Sequence, residues 1–474
     1  MLERSPVFRS VWRALDTLCA VASPELAYQL ALQVIFLRLW PAPDGAGLAR
    51  CLGPAEPALS RTWTRLGLDR PFDLDMGTTG MSYVRRLYGE GDRALAALVR
   101  EVDKLNRPVH LFDACLDRYS SRYGTGGDYY TPRPLARLMA GVVAPRPGER
   151  VLDPVCGSGR LLIAADQWAR RHGGGVGALV LHGRDVRPEA RRAAVMNLTL
   201  NGLCNDLGDR AVDSLSSGPG NLSVDVVCAN PPLNTKDWGY EEASRDPRWV
   251  LGLPPKGNAN FAWVQHALHQ LSPQGRAIIL LPESATRRPN TAELHIRRRL
   301  VERDLLAGVV ALPARLFPHT RTGTTLWLLS KDKSANAHWG ETSRVGEVLF
   351  VDARRMPSHT DQGGRRFADE DIDRICRVFA DWRGLSYAQG DSVTEERGWS
   401  RSTSQEEVAR HGYDLDPGAY VLSSTASSEK SVPEGRLGHP KDVVYERFEE
   451  TQRIDQWLRN ALEAEAEAWE RAGV

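Results

Sequence analysis

The run "VDVVCANPPLNTKDWG" (Val224 to Gly239) starts apolar and breaks on Asn230, Pro231 and Pro232. One amide followed by two prolines suits a demanding piece of chemistry. An aromatic amine is a poor nucleophile because its lone pair is delocalised into the ring. A site that methylates one must hydrogen-bond both N–H protons and so turn the lone pair toward the methyl donor. The Asn230 side-chain oxygen and the Pro231 carbonyl are two such acceptors at the tip of a strand. The prolines have no N–H to compete and hold the turn rigid, which keeps both acceptors aimed outward. The competing reading is a rigid turn after a strand.

A second constellation could hold the donor. "VLDPVCGSGRLL" (Val151 to Leu162) places Asp153 at the end of an apolar run, then a turn with Gly157 and Gly159, then a helical pattern. Glycines let a ligand approach the backbone closely, and a helix N-terminus offers free N–H groups. Asp185 ends the next apolar run, 26 residues past Gly159, where an acidic residue accepts from two ribose hydroxyls in dinucleotide folds. Asp213, in "AVDSLSS", precedes the strand leading to Asn230 and could accept from an adenine amino group. Taken singly, these features read as a tight turn, a helix cap and a solvated loop acid. Their order and spacing within one alternating unit favour a ligand site. Leu162 stands where a G-x-G-x-x-G fingerprint needs its last glycine, which disfavours NAD, and no G-x-x-x-x-G-K-[ST] loop is present. S-adenosylmethionine fits best.

Positioning these residues takes an alternating framework. Candidate strands are "RVLDPV" (150–155), "ALVLHGRDV" (178–186), "SVDVVCAN" (223–230), "RAIILLPES" (276–284), "AGVVALP" (307–313) and "TTLWLLSK" (324–331), with helical stretches between most of them. That pattern predicts an α/β fold with a doubly wound, Rossmann-like parallel sheet and a ligand at the carboxyl ends of its strands. The last two strands are too close together for a crossover helix, so they are expected to form an antiparallel edge hairpin. Apolar residues at helical spacing, as in "ELAYQLALQVIFLRLW" and "DRALAALVREVDKL", predict a helical N-terminal domain over residues 1–123. The catalytic domain is then 124–333, followed by a loop-rich region and linker over 334–440. Residues 441–474 form a C-terminal helix with Val444, Phe448, Thr451, Ile454, Leu458, Ala461 and Leu462 on one stripe. Such a helix wants a partner.

Composition narrows the class. Of 474 residues, 42% are hydrophobic and 26% charged, and 61 Lys plus Arg nearly cancel 60 Asp plus Glu. No global basic field advertises nucleic acid, so any such contact needs a local patch or a second subunit. Seven scattered cysteines, never spaced C-x-x-C, argue against a disulfide framework or a zinc site and for a reducing cytoplasm. The most apolar early run, Leu30 to Trp40, is too short to span a bilayer and contains Arg38. No membrane role is expected.

Together "GDYYTPRPLARLM", "LDPVCGSGRLL", "GRDVRPEARRAAVMNLTLNG", "VDVVCANPPLNTKDWG", "NANFAWVQHALHQLSPQGRAIILLP" and "VVALPARLFPHTRTGTTLWLLSKDK" resemble the adenine-N6 DNA methyltransferases, specifically the modification subunits of type I restriction-modification systems. The resemblance is specific over roughly 120–333. It implies an S-adenosylmethionine-dependent methyltransferase acting on a flipped DNA adenine, with a specificity subunit and a restriction subunit as partners. It implies that Tyr129, Tyr130, Thr131, Pro132 and Arg133 wrap the methionine end of the cofactor. Gly157, Ser158 and Gly159 would line its loop, Asp185 would hold its ribose, and Asn230, Pro231 and Pro232 would form the catalytic pocket. Two positions depart from the family. Leu233 stands where an aromatic ring usually stacks on the extruded base, and Arg160 stands where a small residue is usual, pointing to solvent or crowding the cofactor. Two other functions compete: a catalytically impaired module that binds cofactor or DNA in a defence or regulatory complex, and methylation of a protein glutamine or an RNA base.

Overall fold

The computed structural model describes residues 8–39, 90–105, 109–123 and 131–422, apart from short breaks at 219, 221, 237, 244, 288–289, 315, 317–321, 357–358, 362–363 and 388–394. The amphipathic helix expected at 441–474 lies outside the described residues, as do the linker from 423 onward and both Tyr129 and Tyr130.

Among the described residues, four helices form the N-terminal layer: α1 (Arg9–Val21), α2 (Pro24–Leu39), α3 (Glu90–Asp103) and α4 (Val109–Tyr123). On α1 and α3 apolar positions recur every three or four residues and turn one stripe inward, whereas α2 is apolar and buried on nearly every side. Leu15, Ile35, Leu98, Leu111 and Phe112 meet in a shared core. On α4, Arg118 binds Asp16 of α1 at 2.9 Å while its guanidinium lies over the Trp12 ring.

The sheet is built from β1 (Arg150–Asp153), β2 (Val180–Gly183), β3 (Asn205–Asp206), β4 (Val224–Ala229), β5 (Leu271–Pro282), β6 (Leu306–Ala311), β7 (Thr324–Ser330) and β8 (Glu347–Asp352). A small hairpin, β9 (His359–Asp361) with β10 (Gly364–Arg366), stands apart, and β11 (Ser400–Ser404) completes the large sheet. Its order is β11-β8-β6-β7-β5-β4-β1-β2-β3. Covering it are α5 (Arg133–Val143), α6 (Arg160–Arg171), α7 (Pro188–Leu200), α8 (Asn260–Gln270), α9 (Thr291–Glu302) and α10 (Asp369–Arg383).

Strand side chains alternate between faces, and both faces are covered, so the inner stretches of the central strands, 226–229 and 277–281, are apolar without interruption. Val226, Cys228, Ile278, Leu280 and Leu328 pack with Leu138 of α5, Leu162 of α6 and Phe379 of α10. Their neighbours Val227, Ala229, Ile279, Leu281 and Trp327 pack the other way, with Phe261 of α8 and Leu300 of α9. The N-terminal helices reach the sheet layer through α7, whose Ala193 belongs to their core.

Strands β1, β2, β3, β4 and β5 pair in parallel, as the alternation predicts. The expected edge hairpin is corrected. Strands β6 and β7 are antiparallel, but β7 lies between β5 and β6, and β6 pairs in parallel with β8. The stretch expected to be loop-rich therefore extends the sheet by β8 and β11, with α10 packed over it. No helix among the described residues is long and apolar enough to cross a membrane.

Candidate active site at the carboxyl ends of β1 and β4

The chain leaves β1 toward β2 and β3 on one side and returns to β4 on the other. The strand order therefore reverses between β1 and β4, which opens a crevice at their carboxyl ends. Both sequence constellations sit there, because Asp153 is the last residue of β1 and Asn230 follows the last residue of β4.

The loop after β1 is shaped by its own backbone. Gly157 and Gly159 have φ of 52° and 76°, a region that favours glycine. A Cβ at Gly157 would meet nothing within 4 Å, so conformation and not crowding selects glycine there, and the loop stays open on that side. At Gly159 an added Cβ would stand 3.3 Å from Leu198, so this glycine also permits close packing of α7. Ser158 is buried, and its carbonyl accepts from Asn197 Nδ2 at 2.9 Å.

Asp185 Oδ2 accepts from the Gly157 N–H and Oδ1 from the Arg187 N–H, both at 2.9 Å. Each oxygen keeps a second lone pair, so the carboxylate supports the glycine loop while remaining an acceptor. Burial pushes its pKa up against those two hydrogen bonds. Asp153 is 1% exposed and, among the described residues, its side chain accepts only the Val155 N–H, at 3.0 Å. Burial, with a smaller contribution from Asp185, pushes its pKa up to about 8, against the pull of the Val155 N–H. Asp213 caps its own turn, accepting from the Leu215 N–H and the Ser216 hydroxyl at 2.9 Å each. Ser214 ties that turn to the loop after β1 by donating to the Pro154 carbonyl at 2.7 Å.

The Asn230 side chain is nearly buried, and its Nδ2 donates to the Thr131 hydroxyl at 3.0 Å. Among the described residues no donor is committed to Asn230 Oδ1 or to the Pro231 carbonyl. The Pro232 carbonyl accepts from Thr235 Oγ1 at 3.0 Å. Asn234, at φ 55°, is locked by a reciprocal pair with Asn260: its N–H donates to Asn260 Oδ1, and Asn260 Nδ2 donates to its Oδ1, both at 3.0 Å. Leu233 is half-buried on this turn.

Thr131 and Pro132 lead into α5, with Pro132 at its N-cap. Arg133 does not stand alone: its guanidinium binds Asp113 and lies 3.8 Å from Asp117, both on α4. Arg160 is 6% exposed and neither reaches solvent nor turns into the glycine loop. Its Nη1 donates to Asp117 Oδ1 at 2.6 Å and to the Thr131 carbonyl at 3.2 Å. Sequence reading missed Asp113, Asp117 and Asn260 as supports. Only Asn260 left a trace, in "NANF" at the start of α8. Among the described residues no cluster of His, Cys, Asp or Glu could hold a metal ion.

Comparison with known proteins assigns the family. The family model described as N-6 DNA Methylase matches residues 109–429, well over half of the chain. The chain is 32% identical over 356 residues to the type I restriction enzyme HindI methylase subunit of Haemophilus influenzae, covering 74% of this chain and 77% of that one. It is 29% identical to the type I restriction enzyme MjaIX methylase subunit of Methanocaldococcus jannaschii, covering 72% of this chain and 59% of that one. Among solved structures, a type I restriction-modification methyltransferase subunit from Streptococcus thermophilus superposes with a TM-score of 0.65 at 19% identity, covering 86% of this chain and 98% of that one. That likeness is one of fold.

Proposed function

The chain belongs to the N-6 DNA methylase family, whose members methylate DNA adenine at N6 with S-adenosylmethionine, and on that premise we propose that Asn230 and Pro231 orient the adenine amine for transfer. One observation carries this reading. Thr131 engages the Asn230 amide nitrogen, which leaves Oδ1 facing outward as an acceptor beside the uncommitted Pro231 carbonyl. Two acceptors on one rigid turn can take both amine protons, and the lone pair then points out of the ring plane.

The residues present fit the cofactor. The open Gly157 turn, the N-terminus of α6 and the buried Asp185 supply a close backbone, free N–H groups and a ribose acceptor. Bound there, S-adenosylmethionine supplies an electrophilic methyl group. Gly157, Ser158 and Gly159 would line it, Asp153 and Asp213 would flank it, and Pro132 and Arg133, with Tyr129 and Tyr130, would close over its methionine end, while the Thr131 hydroxyl is turned to Asn230. Leu233 gives the extruded base apolar contact without ring stacking. The outward acceptors of the turn favour an enzyme over a binding module.

Sequence choice falls to a partner in this reading. Positive and negative charges nearly cancel, and the similar proteins are named as subunits of type I restriction enzymes. A specificity subunit, and with it a restriction subunit, is the expected company, with DNA in the cytoplasm as substrate. The test is transfer of labelled methyl from S-adenosylmethionine to unmethylated DNA, with digestion of the product to nucleosides. Label in N6-methyladenine supports the reading, and label in cytosine or in no base would overturn it. Calorimetry on Asp185→Ala separates the cofactor assignment, because the account expects cofactor affinity to fall at least about tenfold with the loss of a charge-assisted acceptor.

A further inference from the structure

We infer that Arg160 and Thr131 are positioning residues that hold the Asn230 amide in its working orientation, an inference that rests on the role proposed for Asn230. An asparagine amide has two nearly isosteric orientations, one presenting oxygen outward and the other NH2. Only the first can accept a proton from an amine. The inner atom here is Nδ2, which donates to the Thr131 hydroxyl at 3.0 Å and leaves the oxygen on the outer side.

Thr131 is itself held. Its carbonyl accepts from Arg160 Nη1 at 3.2 Å, and the same nitrogen donates to Asp117 Oδ1 at 2.6 Å. Arg160 is the first residue of α6, directly after Gly159 of the cofactor loop. Asp117 lies on α4, which belongs to the helical layer before the sheet. One buried guanidinium thus fastens the cofactor loop, the segment leading into α5 and the N-terminal helices to the residue that orients the acceptor. A small side chain at position 160 would leave the Thr131 carbonyl without this donor and Asp117 without its closest cation. The departure at Arg160 is therefore part of the site, and it accounts for a long cation that stays away from the cofactor.

The full-length chain tests this with two independent readouts. The first is single-turnover methyl transfer to DNA at saturating cofactor, with cofactor affinity measured separately. Thr131→Val, which keeps the shape and removes the acceptor, is expected to slow transfer about a hundredfold while cofactor affinity stays within about threefold, since misorientation acts on the reacting geometry and not on binding. Thr131→Ser should restore most of that rate. Arg160→Met should slow transfer about tenfold, because it loosens the Thr131 backbone without removing the hydroxyl. The second readout is the side-chain NH2 resonance of Asn230 in protein labelled with 15N-asparagine, assigned by its disappearance in Asn230→Ala. It should shift and exchange faster with water in Thr131→Val and in Arg160→Met, and keep its place in Thr131→Ser.

An unmoved resonance in Thr131→Val would overturn the inference, as would a Thr131→Ser variant as slow as Thr131→Val. A rate loss matched by an equal loss of cofactor affinity would also overturn it, making Thr131 a cofactor contact. If the resonance responds as expected but the wild type transfers no methyl group to DNA, the positioning chain stands and the role proposed for Asn230 fails.

Discussion

Strand β1 carries a buried carboxylate at each end, and the two are treated in opposite ways. Glu149, just before its amino end, is 4% exposed and forms a two-point pair with Arg276, at 2.8 and 2.9 Å. Arg276 is fully buried and also donates to the Val143 and Ala144 carbonyls at the end of α5. Burial alone would raise the Glu149 pKa, but the Arg276 charge and its hydrogen bonds, with the Arg146 N–H and His338, hold it below the usual carboxylate range. Asp153, four residues on, has one backbone N–H and no cation within ion-pair reach among the described residues, and burial carries its pKa up to about 8. One end of the strand satisfies its charge and locks helix to sheet. The other leaves a carboxyl group unpaired where a ligand is expected, and perturbed groups of that kind gather at functional sites.

The largest effect should come from breaking the satisfied end. Glu149→Ala strands a buried guanidinium, so chemical denaturation should show a loss of about 3–5 kcal/mol, while cofactor affinity below the unfolding transition stays unchanged. A loss under about 1 kcal/mol would place the pair among weak surface contacts. The contrast then sharpens with pH. Asp153 binds a proton more tightly folded than unfolded, so its contribution to stability is full below the unfolded pKa, near 4, and is lost as pH rises toward about 8. Asp153→Asn should therefore gain stability relative to wild type between pH 5 and pH 8 in the cofactor-free protein. Glu149→Gln should behave in the reverse sense, since a lowered folded pKa makes its contribution present at neutral pH and lost in acid. Parallel profiles for the two variants would erase the distinction between the ends. The smallest effect concerns Leu233: with Phe there, retention of an extruded adenine should strengthen by about 1–3 kcal/mol, the contribution of stacking, as read by fluorescence of 2-aminopurine at the target position. Unchanged fluorescence would mean that the turn leaves no room for the ring.

How much of this was legible in the sequence depends on distance along the chain. The second halves of β4 and β5 are continuous apolar runs because both faces of the sheet are covered, and the glycine turn follows β1 directly, so both constellations could be read locally. Strand β11 could not. Its sequence, SRSTS, is polar, and its ladder with β8 makes it a strand, a partnership that no local pattern encodes. Strand β8 pairs in parallel with β6 across 41 residues, a partnership equally remote in sequence, so its stretch read as loop-rich and the β6–β7 pair looked like an edge. The same limit hid the supports of the site. Arg160 meets Asp117 across 43 residues, and Asn230 meets Thr131 across 99, so only the folded chain brings them together. Residue types pointed to the chemistry proposed for the site; the contacts that support its turn are long-range.

The most direct measurement is methyl transfer by Asn230→Ala, set beside its cofactor affinity and its unfolding midpoint. The account predicts that transfer falls by at least about a thousandfold, because an acceptor used only in the reacting geometry is gone, while cofactor affinity and stability stay close to wild type. Transfer at the wild-type rate would contradict it, and so would a loss of transfer that merely follows a loss of cofactor or of fold.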